Sequence, residues 1–546
     1  MLPPPRPYQI PEQTAVVARA AFPKGTLAMR LADSLGLLYE EADFAAVYSA
    51  MGRPGEDPVR LALVSVFQFL EGLSDRQAAD AVRGRIDWKY ALRLELTDPG
   101  FDYSVLSEFR ARLIAGGQEQ VLFDKVLAHL RAQGLLKARG RQRTDSTHVL
   151  GAIRNLNRLE FVIETLRHAL NTLAVVAPDW IRVHVPADWV LRYDHRAEDY
   201  RLPDADSERT ALAEAVGQDG MQLLAWIGEQ EGDHWMYQVP AIQTLKQVWE
   251  EQYTGPPEQL RWLDKHGLPV PTQHICSPYD PEARWANKGS RTWVGYKVFL
   301  SETCDPDCPR LITQVTTTPA GTADEKMVEP IHATLAQAEL LPAEHLMDTG
   351  FVRIEHVVES PQQHGVRIIG PVARDSSWQA HIPNGFDQTH FRIDWERQVV
   401  TCPMGKESGL WYAEDPGKVR HVQVFFKRED CEACSARAQC TRSKKGRRVL
   451  SLQPRPYLEA LQELRHYQRT AAFKAQYDAR SGVECLFSQG SRRCDVQQAR
   501  YRGQRKTHVQ QLLSATAINL LRWDAWKQER PIAPTRHSRF TALLAA

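Results

Sequence analysis

Tyr477, Arg480 and Glu484 stand at i, i+3 and i+7 in the stretch YDARSGVECLFSQGSRRCDVQQARYRG. On an uninterrupted helix this spacing places all three on one face. A carboxylate sharing its face with an arginine and a tyrosine is costly to build unless something binds there. The plain alternative is a solvated helix face whose Arg480–Glu484 pair is worth roughly a few tenths of a kcal/mol. Two aspartates upstream extend the set, Asp145 in TDSTHV and Asp348 in LMDTGF. A second constellation is Cys402-Pro-Met-Gly followed by Cys431-x-x-Cys434 and, after five residues, Cys440. Four thiols with one tight pair suit tetrahedral zinc, against the alternative of buried free cysteines. Cys276, Cys304, Cys308, Cys485 and Cys494 carry no assigned role.

The elements that must position these residues follow from the patterning. From about Phe22 to Gln133 the pattern is helical. PVRLALVSVFQFLEG reads as a buried helix stopping at Gly72, and Ser74 with Gln77 forms a capping box for the next helix. Gly84 then breaks the pattern before IDWKYALRL, the outline of a helix-turn-helix. A further helix from Ser104 carries FRARLI, with Arg110 and Arg112 expected on the outside. Lys137, Arg139, Arg141 and Arg143 alternate into a strand that holds Asp145. Ile153, Leu156, Leu159, Ile163, Leu166, Leu170 and Leu173 mark an amphipathic helix in an insertion. From about Asp280 the texture turns to strands: TWVGYKVFLSET and PRLITQVTTTPA flank the turn CDPDCP, a helix follows, and PAEHLMDTGF is a short strand ending near Asp348. GVRIIGPV is another. In a mixed sheet of this kind neighbouring strand ends can bring two carboxylates together, and a packed helix can deliver Glu484.

The expected division is therefore residues 1–133, helical; 134–151, a first strand; 152–279, a helical insertion; 280–385, an α/β core; 386–450, a β- and cysteine-rich insertion; 451–530, C-terminal helices with a basic face; and a 531–546 tail. With 546 residues, 43% hydrophobic and 25% charged, the composition is that of a globular protein with a large core. No run reaches the length of a membrane span, and MLPPPRPYQIPEQ lacks a signal-peptide core, so an intracellular, cytoplasmic location is expected. The formal net charge of +1 hides a strong asymmetry. Residues 188–233 hold 12 acidic against 4 basic side chains; 418–448 hold 10 basic against 3 acidic, and 481–546 hold 11 against 4. Two basic blocks in the last third fit a polyanion bound on one surface.

Taken together, TDSTHV, RWANKGSRTWVGYKVFLSETCDPD, LMDTGF and YDARSGVECLFSQGSRRCDVQQARYRG resemble a DDE transposase of bacterial insertion sequences, over nearly the whole chain. The resemblance implies an RNase H-like catalytic domain, a helical DNA-binding N-terminus and the cysteine-bearing insertion of one subgroup, an α+β multidomain protein. It implies that Asp145, Asp348 and Glu484 are the catalytic carboxylates and hold two Mg²⁺ (or Mn²⁺) ions. Arg480 and Tyr477 would contact DNA phosphates. The family motif Y-x2-R-x3-E-x6-K is met except for its lysine, which Ser491 replaces, with Arg492 or Arg493 as the nearest cations. The implied partners are double-stranded DNA, as terminal inverted repeats and target, and a second copy of the chain; a nucleoid-associated location goes with them. The implied reaction frees a 3′-OH at the element end and joins it to target DNA. A repurposed, inactive DNA-binding protein or a nuclease without joining are the alternatives. The single Asp348-Thr349-Gly350, with Ile368-Ile369-Gly370 after it, also resembles an aspartic protease, which needs two such aspartates.

Overall fold

The computed structural model describes all residues except 5–7, 230–234, 265–266, 269, 271–272, 414–420, 531–539, 541–542 and 544–546. The 531–546 tail thus lies almost wholly outside the described residues, as do Lys418 and Arg420 of the first basic block. Packing divides the chain into two units. One comprises Met1–Lys137, Asp145–Thr322 and Val483–Ala546; the other comprises Ala138–Thr144 and Ala323–Gly482. Both combine helices with small sheets, so the protein is α+β and multidomain.

The first unit opens with helices. Pro58–Glu71 is buried along nearly its whole length because PVRLALVSVFQFLE is apolar almost all round. Asp57 accepts the Val59 N–H at its start, Pro58 fits the first turn, and Gly72 at φ 70° ends it. Ser74 N–H donates to Gln77 Oε1 at 2.9 Å and Gln77 N–H to Ser74 Oγ at 3.3 Å, the reciprocal cap that starts Asp75–Gly84. Ile86–Leu92 and Ser104–Ala115 follow.

Pro58–Glu71 and Ser104–Ala115, with Leu27–Leu35 and Val121–Ala132, pack on the last helix, Gln504–Lys527. Thr516 Oγ donates to Leu122 O at 3.3 Å, Trp523 Nε1 to Gln133 Oε1 at 2.9 Å, and Arg30 Nε to Asp524 Oδ1 at 2.8 Å. Trp523 is 1% exposed and its indole N–H is satisfied, as a buried tryptophan requires. Arg112 is exposed as expected, but Arg110 is not: it is 5% exposed and pairs with Asp75 at 2.5 Å. Its guanidinium also lies over the Tyr501 ring. Periodicity within FRARLI cannot show this, because Asp75 and Tyr501 come from distant sequence.

The helical insertion has its own core. Arg158–Val176, started by an Asn157–Glu160 capping box, packs on Asp206–Gly228 and Pro240–Gln252. Leu159, Ile163, Leu166 and Leu173 are buried there, as the apolar spacing predicts, whereas Ile153 and Leu156 lie before the helix begins.

Strand β1, Arg141–Leu150, passes from one unit to the other between Thr144 and Asp145. In the first unit β2 (Tyr253–Thr254) pairs with β3 (Arg261–Trp262), and β4 (Arg284–Lys288), β5 (Arg291–Thr303) and β6 (Ile312–Pro319) form an antiparallel meander. CDPDCP closes the β5–β6 hairpin. Beside β1, Gly151 N–H donates to Val294 O at 2.9 Å. Gly295 (φ 151°) leaves the room this needs, since a Cβ there would meet the backbone at Gly151 N.

In the second unit Arg141–Arg143 of β1 pair in parallel with β7 (Glu344–Leu346), and β7 with β8 (Arg367–Ile369). Val328–Gln337 precedes β7, and Ile354–Gln363 crosses from β7 to β8. The cysteine-bearing region is β-rich: a hairpin of β9 (Arg392–Asp394) and β10 (Val399–Thr401), then β11 (Leu410–Ala413), β12 (Val422–Phe425) and β13 (Val449–Leu452). Phe391, Val400, Val424, Phe426, Leu450 and Leu452 form its core. Helices Arg455–Tyr467 and Ala471–Tyr477 complete the unit.

Candidate active site

Asp348 lies two residues past the end of β7, in a turn that its own side chain organises. Its Oδ1 accepts the Gly350 N–H at 2.9 Å, and its main-chain oxygen accepts from Phe351 and Val352. Arg480 Nη2 stands 3.4 Å from Asp348 Oδ2. The structure therefore brings together two sequence-predicted residues that come from opposite ends of this unit. Asp324, for which the sequence carries no local signal, lies beside the same turn: a Cβ added at Gly350 would stand 3.1 Å from Asp348 Oδ1 and 3.2 Å from Asp324 Oδ2.

The helix expected to carry Tyr477, Arg480 and Glu484 on one face is interrupted. Ala471–Tyr477 ends at the tyrosine, Asp478–Gly482 is a tighter 3₁₀ turn holding Arg480, and Glu484 sits in the first turn of a new helix, Val483–Cys494. The periodic spacing is real, but Asp478, Ser481 and Gly482 break the helix between the motif's members. Ser481 Oγ donates to Asp478 O at 2.8 Å, a local bond that competes with helix continuation. The Tyr477 ring stacks on Phe473 with centroids 5.4 Å apart.

What holds the turn is a pair of arginines from β1. Arg141 Nη2 donates to Gln476 O at 2.8 Å and its Nε to Glu344 at 3.0 Å; Arg143, 2% exposed, donates to Ala479 O. Carbonyls at a helix C-terminus lack intrahelical donors, and cations there are favoured. Burial raises the Glu344 carboxyl, yet Arg367 and Arg141 outweigh it and leave its pKa below the usual value. The alternation of bases in KARGRQRTD was legible as charge; the carbonyls it serves were not.

Asp145 and Glu484 belong to the other unit. Asp145 is 9% exposed, with Oδ1 accepting the Ser146 N–H at 2.8 Å; Glu484 is exposed. A helix's first turn is a favourable place for a carboxylate. Ser491 is half-buried, Arg492 folds back onto Ser488, and Arg493 is exposed.

The four cysteines are partly buried. Cys402, Cys431 and Cys440 border the same apolar core, and the other three thiols are near enough to influence Cys440 electrostatically. Cys402 Sγ accepts the Lys406 N–H at 3.3 Å from a tight Cys-Pro-Met-Gly turn. Burial pushes the Cys440 thiol up to about 11. Among the described residues no group of three or more His, Cys, Asp or Glu side chains is already gathered as metal ligands. No helix among them is long and apolar enough to cross a membrane.

Comparison with known families gives two matches. A transposase DDE domain matches residues 401–523, a span that contains the cysteines, Tyr477, Arg480 and Glu484. A transposase domain (DUF772) matches residues 16–112, the helical N-terminus. No curated protein and no solved structure matches the chain. Both matches are to transposase domains, and together they support a DDE transposase of an insertion-sequence family.

Proposed function

We propose that the protein cleaves the ends of its element and joins the freed 3′-OH to target DNA, with Asp145, Asp348 and Glu484 as the carboxylates of one RNase H-like active site. The observation that carries this reading is the Asp348–Arg480 pair, which ties the second expected carboxylate to the motif that contains the third. The two transposase-domain matches support the reaction class.

Carboxylate oxygens are the donors that hard divalent cations take, so this residue set fits Mg²⁺ or Mn²⁺. Two such ions, held by Asp145, Asp348 and Glu484, would supply Lewis-acid stabilisation of an in-line phosphoryl displacement. Arg480, only partly engaged by Asp348, supplies a planar cation for a phosphate oxygen. Tyr477, three residues earlier, has its ring stacked on Phe473. Arg493 is the better placed of the two cations after Ser491, since Arg492 is occupied by Ser488.

The cysteines fit a structural zinc by donor type, the C-x-x-C turn and the Lys406 N–H directed at Cys402 sulfur. In this reading Cys402, Cys431, Cys434 and Cys440 hold the ion and fasten the 386–450 region. The N-terminal helices recognise the element ends in double-stranded DNA, and two copies of the chain act on a pair of ends.

The test is a strand-transfer assay with the full chain, Mg²⁺, a linear DNA carrying the element's inverted repeats and a supercoiled target. Covalent joining of the end's 3′ strand to the target supports the reading. Cleavage without joining would leave a nuclease, and end binding without either would leave a DNA-binding protein.

A further inference from the structure

Arg143 is among the largest fully buried side chains of the protein, although it is a cation. A buried guanidinium is expensive unless its donors are used. It donates to Ala479 O, in the turn that carries Arg480. Gly482 closes the same turn, and a Cβ there would come within 2.7 Å of Arg143 Cζ, so only glycine leaves the guanidinium its place. Two residues earlier on the strand, Arg141 takes Gln476 O at 2.8 Å. Residues two apart on a strand share a face. One carbonyl in the last turn of Ala471–Tyr477, Gln476 O, and one in the turn after it, Ala479 O, are thus received by two arginines of β1.

We propose that Arg143 is a positioning residue for the DNA cleavage argued above: its buried guanidinium, seated against Gly482, sets the Asp478–Gly482 turn and thereby the approach of Arg480 to Asp348. This rests on the proposed function for its catalytic consequence, but not for its structural one. Arg143 itself touches neither substrate nor reacting atoms. It acts through the turn, which a lysine would hold less well because a single ammonium lacks the guanidinium's fixed fork.

The test uses the full chain with Arg143→Lys and, independently, Gly482→Ala, which keeps the arginine and removes its seat. Amide exchange of residues 478–482, measured without DNA, should quicken about tenfold in both variants while β7 and β8 keep their protection. Single-turnover cleavage of end-bearing DNA should fall about tenfold with end affinity unchanged, since small misplacements slow chemistry more than binding. In an Arg480→Ala background Arg143→Lys should lower the rate less than about twofold further, because both changes act on one contact. Unchanged exchange in both variants would overturn the proposal, as would effects of Arg143→Lys and Arg480→Ala that multiply. Exchange rising equally across the whole unit would also overturn it, by making Arg143 a general core residue. If the wild-type chain cleaves no DNA, the functional reading fails, and the exchange measurement alone decides the role of Arg143.

Discussion

Arg480 Nη2 lies 3.4 Å from Asp348 Oδ2, so the chain's Asp-Thr-Gly turn meets the arginine of its tyrosine–arginine–glutamate motif in the fold. Removing this cation should slow cleavage without abolishing it, because the carboxylates remain. Arg480→Ala is expected to lower single-turnover cleavage by about 10- to 100-fold, and Arg480→Lys to recover only part of that loss. A wild-type rate for Arg480→Ala would take the arginine out of the reaction.

Much of this arrangement was legible in the sequence, for identifiable reasons. The Ser74–Gln77 cap, the Gly72 stop, the β5–β6 hairpin and the apolar face of Arg158–Val176 all follow from local rules of spacing and turn chemistry, and the structure contains them. The break at Asp478–Gly482 did not show, because a helical period continues across it. Nor did the burial of Arg110 and Arg143, since burial is decided by Tyr501, Asp75, Ala479 and Gly482 from remote parts of the chain. The same limit hid Asp324, whose place beside Gly350 is a tertiary fact.

A buried histidine pair should make the second unit sensitive to acid. His332 Nε2 and His345 Nδ1 share a 3.0 Å hydrogen bond, and His345 Nε2 lies 2.6 Å from Thr144 Oγ. Burial first, and neighbouring histidines second, lower His332 to about 4 and His345 well below the usual value. Both are neutral in the fold, whereas the unfolded chain binds protons below about 6.5. Stability is therefore fully present above that value and is lost as pH falls towards 4, by up to about 1.4 kcal/mol per pH unit for each histidine. Denaturant unfolding from pH 7 to 4 checks this, with His332→Gln expected to flatten the slope. An identical slope in the variant would contradict the assignment.

For the cysteines, the expected result is about one zinc per purified chain, lost in Cys434→Ser together with exchange protection in the 386–450 region. Because burial keeps the Cys440 thiol protonated at neutral pH, zinc uptake must displace its proton, and affinity should fall as pH is lowered. Metal-free wild-type protein of undiminished stability would return the four thiols to ordinary partly buried cysteines.

Recognition of the element ends is assigned to the N-terminal helices, which pack on Gln504–Lys527 and are therefore best tested in the full chain. Arg76 is exposed on the capped helix Asp75–Gly84. Arg76→Ala should reduce the preference for end DNA over random DNA by about 1–3 kcal/mol if the side chain reads a base. An equal loss on both DNAs in a competition assay would reduce its role to a phosphate contact.

The central claim is that Asp145, Asp348 and Glu484 form one divalent-metal site. Its most direct measurement is cleavage of end-bearing DNA by Asp145→Asn, Asp348→Asn and Glu484→Gln, each beside a binding assay on the same DNA. The account predicts that every one of the three abolishes cleavage in Mg²⁺ and in Mn²⁺ while end binding survives, because an amide is a poorer ligand and carries no charge. Wild-type protein should fail to cleave in Ca²⁺, whose coordination is looser. A Glu484→Gln protein that cuts at the wild-type rate would contradict the account and leave Glu484 an exposed carboxylate at a helix start.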